Sequence, residues 1–371
     1  MISYFYYFLL FFLLASFGSF FKLVVDRYQT TDSFIFKPSY CDHTKSALPF
    51  WQNIPVVSYL IQFGKSSFSS KPISFSYLLS EITPPFFIFL FLFLQPQFAT
   101  LSKISFSVFF LILILLSMFD IKHRIIPHEI TYSAIVLFVL FYFITNRTVD
   151  FQIANLGLAF LLLDLIHFFT CLFKKFKIDE NLISVPIIFW MIVFFFTQNV
   201  FWVFVPVIAY FILVFYLDLS LKTSKLLWAL ILVLLIIHYV YYCFIDIDFI
   251  KINNLFKGIG FCYFFCEILF YFVTLMTSKN LEDHSKLSNE PESFAIGGGD
   301  ITVFALISTF LGFNFAFLTL FYASLFALIS HLFMKVISSF SKVKLSEETK
   351  YLPFVPFLSL ACFIVILLNK W

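Results

Sequence analysis

The stretch KISFSVFFLILILLSMFD, residues 103–120, decides the fold. Between Lys103 and Asp120 it carries no charge, and its apolar run is about as long as the ~18 residues that mark a membrane-spanning helix. A carboxylate at the end of such a run needs water, a partner or a task to offset its desolvation. The arrangement recurs in reverse order at FAIGGGDITV, residues 294–303, where three glycines lead into Asp300 and an apolar run follows.

The rest of the chain reads the same way. Of its 371 residues, 61% are hydrophobic and only 12% charged, with a mean hydropathy of +0.98. A soluble domain is nearer half apolar and a quarter charged, and so few polar groups could not cover its surface. The composition predicts an all-α polytopic membrane protein and excludes a soluble globular enzyme. The 61 phenylalanines are spread through every apolar run without a repeat, which fits interchangeable lipid-facing bulk. A net charge of +3, with no basic block interleaved with aromatics, gives no reason to expect a nucleic-acid partner. Cys41, Cys171, Cys243, Cys262, Cys266 and Cys362 lie mostly inside apolar runs. There they act as small hydrophobes, not as a disulfide framework.

Apolar runs bounded by polar turns predict about twelve transmembrane helices, with a cytosolic loop after the first. They fall at 1–21, 77–94, 103–119, 130–145, 151–172, 182–197, 199–217, 225–243, 256–276, 301–316, 318–336 and 351–369. The run 301–336 is divided near Gly312–Asn314, because ~36 helical residues would far outrun a ~30 Å hydrocarbon core. The first run, MISYFYYFLLFFLLASFGSFFKLVVDR, lacks a basic n-region and a small-residue cleavage site, and reads as a retained span. Five regions follow: the first helix (1–21), the loop (22–76), a section carrying Asp120 (77–145), an added membrane segment (146–255), and a C-terminal part carrying the glycines and Asp300 (256–371). Placing the loops 22–76, 120–129, 173–181, 218–224, 277–300 and 337–350 on one side leaves only Lys103, Arg147, Lys251, Lys257 and Lys370, of 24 Lys and Arg, on the other. The basic side is cytosolic by the positive-inside rule. Asp120 and Asp300 then both lie at the cytosolic membrane surface.

Either aspartate alone reads as a solvated helix end-cap. Two at one depth on one side, each beside unusual backbone, point further. Gly297, Gly298 and Gly299 permit positive φ and leave room for another backbone to lie close, and Pro127 stops the third span and turns the chain. Two neighbouring carboxylates share a proton, one acting on water and the other on a carbonyl oxygen. Such a pair hydrolyses a peptide bond without metal, serine or cysteine. The helix ends give the charge to Asp300, at an N-terminus, and the proton to Asp120, at a C-terminus.

These residues sit within a wider pattern. FGSFFKLVVDR (17–27), NIPVVSYLIQFGK (53–65), KPISFSYLLSE (71–81), DIKHRIIP (120–127), GGGDITVFALISTFLGF (297–313) and LPFVPFLSLA (352–361) follow in order the signature blocks of another group of proteins. The chain resembles the type IV prepilin peptidases, intramembrane aspartic proteases with a G-x-G-D signature. The resemblance implies a multi-pass protein of the bacterial inner membrane with its active site facing the cytosol. It implies Asp120 and Asp300 as catalytic residues, a prepilin or pseudopilin substrate, and membrane lipid as the surrounding partner. It also implies methylation of the new N-terminus from S-adenosylmethionine, in a methyl-transfer region around Glu81 and the loop 22–76. Oligomeric state is not indicated.

Three departures stand out. Where many members carry two C-x-x-C pairs with zinc-site spacing, this chain has CDHT (41–44) and SSFS (66–69), so no zinc is expected. Thr302 replaces a lysine after the second aspartate, and EITPP (81–85) has Pro84 and Pro85 where Thr-Gly is expected. Glu81 itself, read as standing at a helix start, is equally explained by the helix dipole. Asp164 and His167 share a helix face and read as a packing pair, and Glu267 reads as a buried hydrogen-bonding group. The alternatives are another G-x-G-D intramembrane protease, a transporter with proton-relaying acids, and a homologue that binds pilins without cutting them. The first has Tyr where Phe119 stands, and the second predicts acids at mid-membrane.

Overall fold

The computed structural model describes residues 2–28, 38–41, 44, 46–146, 150–174, 264, 297–341 and 352–369. Among these the helices are α1 (Ile2–Arg27), α2 (Val57–Ile61), α3 (Phe75–Leu94), α4 (Thr100–His123), α5 (His128–Asn146), α6 (Asp150–Lys174), α7 (Gly298–Leu311), α8 (Phe313–Ser341) and α9 (Val355–Leu368). A 3-10 turn covers Phe50–Asn53, and no strand occurs among the described residues beyond two isolated antiparallel bridges. Among the described residues, five stretches are long and apolar enough to cross a membrane: Phe5–Arg27, Phe75–Leu94, Thr100–His123, His128–Thr145 and Phe313–Val336. Apart from residue 264, the spans expected at 182–197, 199–217, 225–243 and 256–276 lie outside the described residues. The break expected near Gly312 is present: Gly312 has φ 87°, a conformation that ends a helix easily only at glycine. It leaves α7 with 14 residues, about 21 Å, shorter than the hydrocarbon core.

The chain divides into two compact units, Met1–Pro127 with Leu318–Trp371, and His128–Phe317. In the first, α1 lies against α3 and α4 packs on α3 and α9. The two backbones of α1 and α3 come close at Gly18, where an added Cβ would stand 2.1 Å from the Ser80 carbonyl oxygen. Pro84 explains why that carbonyl is available. It has no N–H to return to Ser80, four residues earlier in α3. Phe91, Phe106, Phe110 and Phe363 cluster in this core, with ring centroids 5.1–5.5 Å apart along the chain of contacts. Lipid is as apolar as these rings, so the gain is close packing and not escape from water.

In the second unit α7 is the centre. Every residue from Thr302 to Leu311 is buried, against α6 and α5. Ser308 Oγ donates to the Asn155 carbonyl (2.8 Å), Tyr142 OH donates to the Phe310 carbonyl (2.9 Å), and the Phe138 and Phe310 rings meet at 4.8 Å. Large apolar side chains face outward on α1 (Phe5, Phe8, Leu9), α5 (Leu137, Leu140, Ile144) and α8 (Phe321, Leu328, Leu332), as lipid-facing helices require.

Candidate active site

Asp120 sits in the last turn of α4, which ends at Arg124 in the left-handed conformation (φ 56°, ψ 24°). The last residue of the helix is therefore His123, four residues before Pro127, the residue expected to stop it. Pro127 instead immediately precedes α5, whose first turn carries Glu129. The Asp120 side chain is buried, and its Oδ2 accepts the Val355 N–H (2.9 Å) from the first turn of α9. A helix's first turn has N–H groups without partners inside the helix, and a carboxylate satisfies one of them well. One turn further along the same pair of helices, Ser117 Oγ and Ser359 Oγ share a hydrogen bond of 2.8 Å. Thus Asp120 lies between the C-terminal end of its own helix and the N-terminal end of another, only the first of which was legible in the sequence.

The end of α4 is also tied to α1. Lys122 Nζ and Lys22 Nζ both reach Asp26 Oδ1 at 2.6 Å, Tyr77 OH donates to Asp26 Oδ2 (3.1 Å), and His123 Nε2 donates to the Val25 carbonyl (2.6 Å). A single exposed ion pair would contribute little. Here one carboxylate gathers three donors from three helices, which fixes the geometry next to Asp120.

Glu81 is not at a helix start. It is the seventh residue of α3 and buried, so the helix-dipole explanation fails. Its Oε1 accepts from Ser19 Oγ of α1 (2.9 Å) and its Oε2 from the Val56 N–H (2.6 Å). Val56 has φ 65° and ψ −50°, and the Val57 N–H donates back to the Pro55 carbonyl (2.7 Å). This is the γ-turn with positive φ, strained for any residue and most for a β-branched one. Glu81 holds it in place. Three separate sequence blocks, 17–27, 53–65 and 71–81, therefore meet at one carboxylate.

Beside that junction lies a cavity of about 680 Å³. Lys22, Arg27 and Lys122 supply positive charge to its wall, and Asp26 and Glu81 negative charge, and Tyr77 also lines it. Its volume is in the range of small-molecule sites. Arg27 closes one side, donating to the Pro38 carbonyl (3.0 Å) and stacking on Tyr40, 5.2 Å from the ring centroid.

Asp300, in the second unit, is the third residue of α7. The glycines before it do not use positive φ: Gly297 is extended (φ −67°, ψ 135°), and Gly298 and Gly299 are already helical. What they offer is space. A Cβ on Gly297 would stand 3.2 Å from Asp300 Oδ2, whereas one on Gly298 would meet nothing within 4 Å. Thr302 Oγ1 donates to the Gly299 carbonyl (2.9 Å), so the position expected to hold lysine turns back onto its own helix.

Cys41, Thr44, Ser66 and Ser69, the positions expected for a zinc site, supply one thiol and three hydroxyls. Zinc favours thiolate and imidazole, so the residues present do not fit it. Among the described residues no cluster of three or more His, Cys, Asp or Glu side chains suits a metal. Sequence reasoning missed Asp26, Ser19 and Val355. Each lies inside a block singled out above, but their partners are up to 235 residues away.

Residues 12–95 match the bacterial peptidase A24 N-terminal domain family. A stretch of 101 residues is 31% identical to the prepilin leader peptidase/N-methyltransferase of Xanthomonas campestris pv. campestris (strain ATCC 33913), covering 26% of this chain and 33% of that protein. The match thus spans about a third of the length of that curated relative. No solved structure matches the chain.

Proposed function

We propose, for a chain whose residues 12–95 match the bacterial peptidase A24 N-terminal domain family, that it acts as an intramembrane aspartic endopeptidase. It removes the leader of a prepilin or pseudopilin at the cytosolic face of the inner membrane, with Asp120 and Asp300 as the acid pair. Ionised Asp300 takes a proton from water, whose oxygen attacks the scissile carbonyl. Protonated Asp120 gives its proton to the carbonyl oxygen. Collapse of the tetrahedral diol breaks the C–N bond, and the leaving nitrogen takes a proton from the pair. The open space beside Gly298 suits an extended substrate backbone next to Asp300.

The observation that carries this reading is the seating of Asp120. A carboxylate buried at the end of an apolar helix is costly, and in membrane helices such groups mark function. This one is held by the Val355 N–H and by a helix end latched through Lys122 and His123. The test is co-expression with pilin-like proteins, reading leader loss by mass spectrometry in wild type, Asp120→Asn and Asp300→Asn. Loss of cleavage in both variants is expected. Cleavage that survives both substitutions would sink the aspartic mechanism.

A second reading, N-methylation of the cut product, is favoured by the cavity beside Glu81. S-adenosylmethionine would supply a methyl group on a sulfonium. Asp26 and Glu81 would face its positive charges, and Lys22, Arg27 and Lys122 its carboxylate. A cut product heavier by one methyl would support it, and an unmodified N-terminus in the presence of the methyl donor would count against it.

A further inference from the structure

The loop between α1 and α3 contains two turns of the same construction. In the first, Tyr40 pairs with Ala47 in an antiparallel bridge, and in the second Lys65 pairs with Pro72. Cys41 N–H donates to the Ser46 carbonyl (2.9 Å), as Ser66 N–H does to the Lys71 carbonyl (2.9 Å). Leu48 N–H donates to the Ser39 carbonyl (2.8 Å), as Ile73 N–H does to the Gly64 carbonyl (2.7 Å). Each of these positions in the second turn lies 25 residues after its counterpart in the first. The residues offered at the tips are Cys41 and Thr44 from one turn, and Ser66 and Ser69 from the other.

Two of the four meet across the turns, while the exposed Thr44 hydroxyl shares a hydrogen bond with Ser46 Oγ (2.6 Å) in its own turn. Cys41 Sγ and Ser66 Oγ share a hydrogen bond of 3.4 Å. From Zn–S and Zn–O bond lengths, a sulfur and an oxygen ligand of one tetrahedral ion stand about 3.5 Å apart. Ser69 Oγ is buried without a hydrogen-bond partner. A buried unpaired hydroxyl costs about 1–3 kcal/mol, and it falls at the last of the four ligand positions.

We infer that the turn carrying Tyr40, Cys41, Thr44, Ser46 and Ala47 and the turn 65–72 are a double knuckle, related to a metal site, that folds without metal, the Cys41–Ser66 hydrogen bond and paired backbone bonds standing in for coordination. The scaffold is retained although three of its four positions have lost the thiol. Cys41 and Ser66 also line the cavity described above, so the knuckle tips form part of its wall. This inference goes beyond the peptidase reading and does not depend on it.

The test uses the full chain in detergent, as wild type and as the variant Thr44→Cys/Ser66→Cys/Ser69→Cys. Wild type should carry only substoichiometric zinc after purification, and its thermal unfolding should be unmoved by EDTA. The triple variant should take up one equivalent of Co²⁺, with the intense near-ultraviolet absorption of cobalt–thiolate bonds, and Zn²⁺ should raise its Tm. Wild type with one tightly held zinc, whose removal lowers Tm, would overturn the metal-free assignment. A folded triple variant that binds no metal would overturn the retained geometry. Should that variant fail to fold, Ser66→Cys decides the same question. With diamide as oxidant, its Cys41 and introduced thiol should lose two hydrogens and join as a disulfide in peptide mapping. A folded Ser66→Cys protein that stays reduced would overturn the placement of the two tips.

Discussion

Among the described residues of the second unit, the hydroxyls around α7 donate to backbone carbonyls: Tyr142 to Phe310, Ser308 to Asn155, Thr309 to Ala305 and Thr302 to Gly299. The first unit adds carboxylates to such hydroxyls. Asp26 gathers two lysines and a tyrosine, Glu81 binds a hydroxyl and a strained turn, and Asp120 takes an amide from another helix. Neutral hydroxyls that return to a carbonyl fasten helices at small desolvation cost. Buried carboxylates cost more and repay it only with several good donors. The first unit is therefore built around charge beside a cavity, and the second around a packed helix that presents one aspartate at its start.

That contrast can be broken most directly at the two aspartates. Asp120→Asn and Asp300→Asn should each lower cleavage of a pilin substrate by about 10²–10⁴-fold, the range of a lost general acid or base, in a detergent assay of leader removal. If one variant is silent, the units do not contribute equally to chemistry. Gly18→Ala comes next. Its new methyl would meet the Ser80 carbonyl at 2.1 Å, and overpacking of this kind costs about 1–3 kcal/mol. A clear fall in Tm is expected, and an unchanged Tm would refute the close α1–α3 contact. Glu81→Ala should cost about 1–3 kcal/mol by orphaning Ser19 and the Val56 N–H, with Glu81→Gln retaining part of that; equal Tm values for the two would count against the junction. The smallest effect belongs to Gly298→Ala. Nothing lies within 4 Å, and replacing a helical glycine should stabilise by about 0.5–1 kcal/mol. A fall in kcat/KM with a raised Tm would show that the glycine serves the substrate and not the fold.

Much of the helical frame was readable because it depends on local pattern. The expected spans 77–94 and 130–145 fall within two residues of α3 and α5, and the break at Gly312 followed from length alone. Both aspartates were also visible as charges at the ends of apolar runs. Their surroundings were not. Val355 is 235 residues from Asp120, and no periodicity links them. The glycines before Asp300 suggested positive φ, but α7 begins at Gly298 and only their small size is used. The positions of the double knuckle were legible through the resemblance, but its fold was not, because the repeat is carried by backbone bonds and Thr44, Ser66 and Ser69 stand where cysteines would have marked it.

The contact of α1 with α3 has a consequence for that loop. Ser19 and Glu81 are 62 residues apart, and their junction, with Gly18 against Ser80, closes the intervening chain into a ring. A covalent link across a loop of this size would remove about 4 kcal/mol of disorder from the unfolded chain. Two lipid-embedded helices gripping each other backbone to backbone restrict the loop's ends in the same sense. Much of the ordering that a bound ion would supply is thus already imposed by the membrane part of the chain, and a knuckle held there tolerates the loss of its thiols.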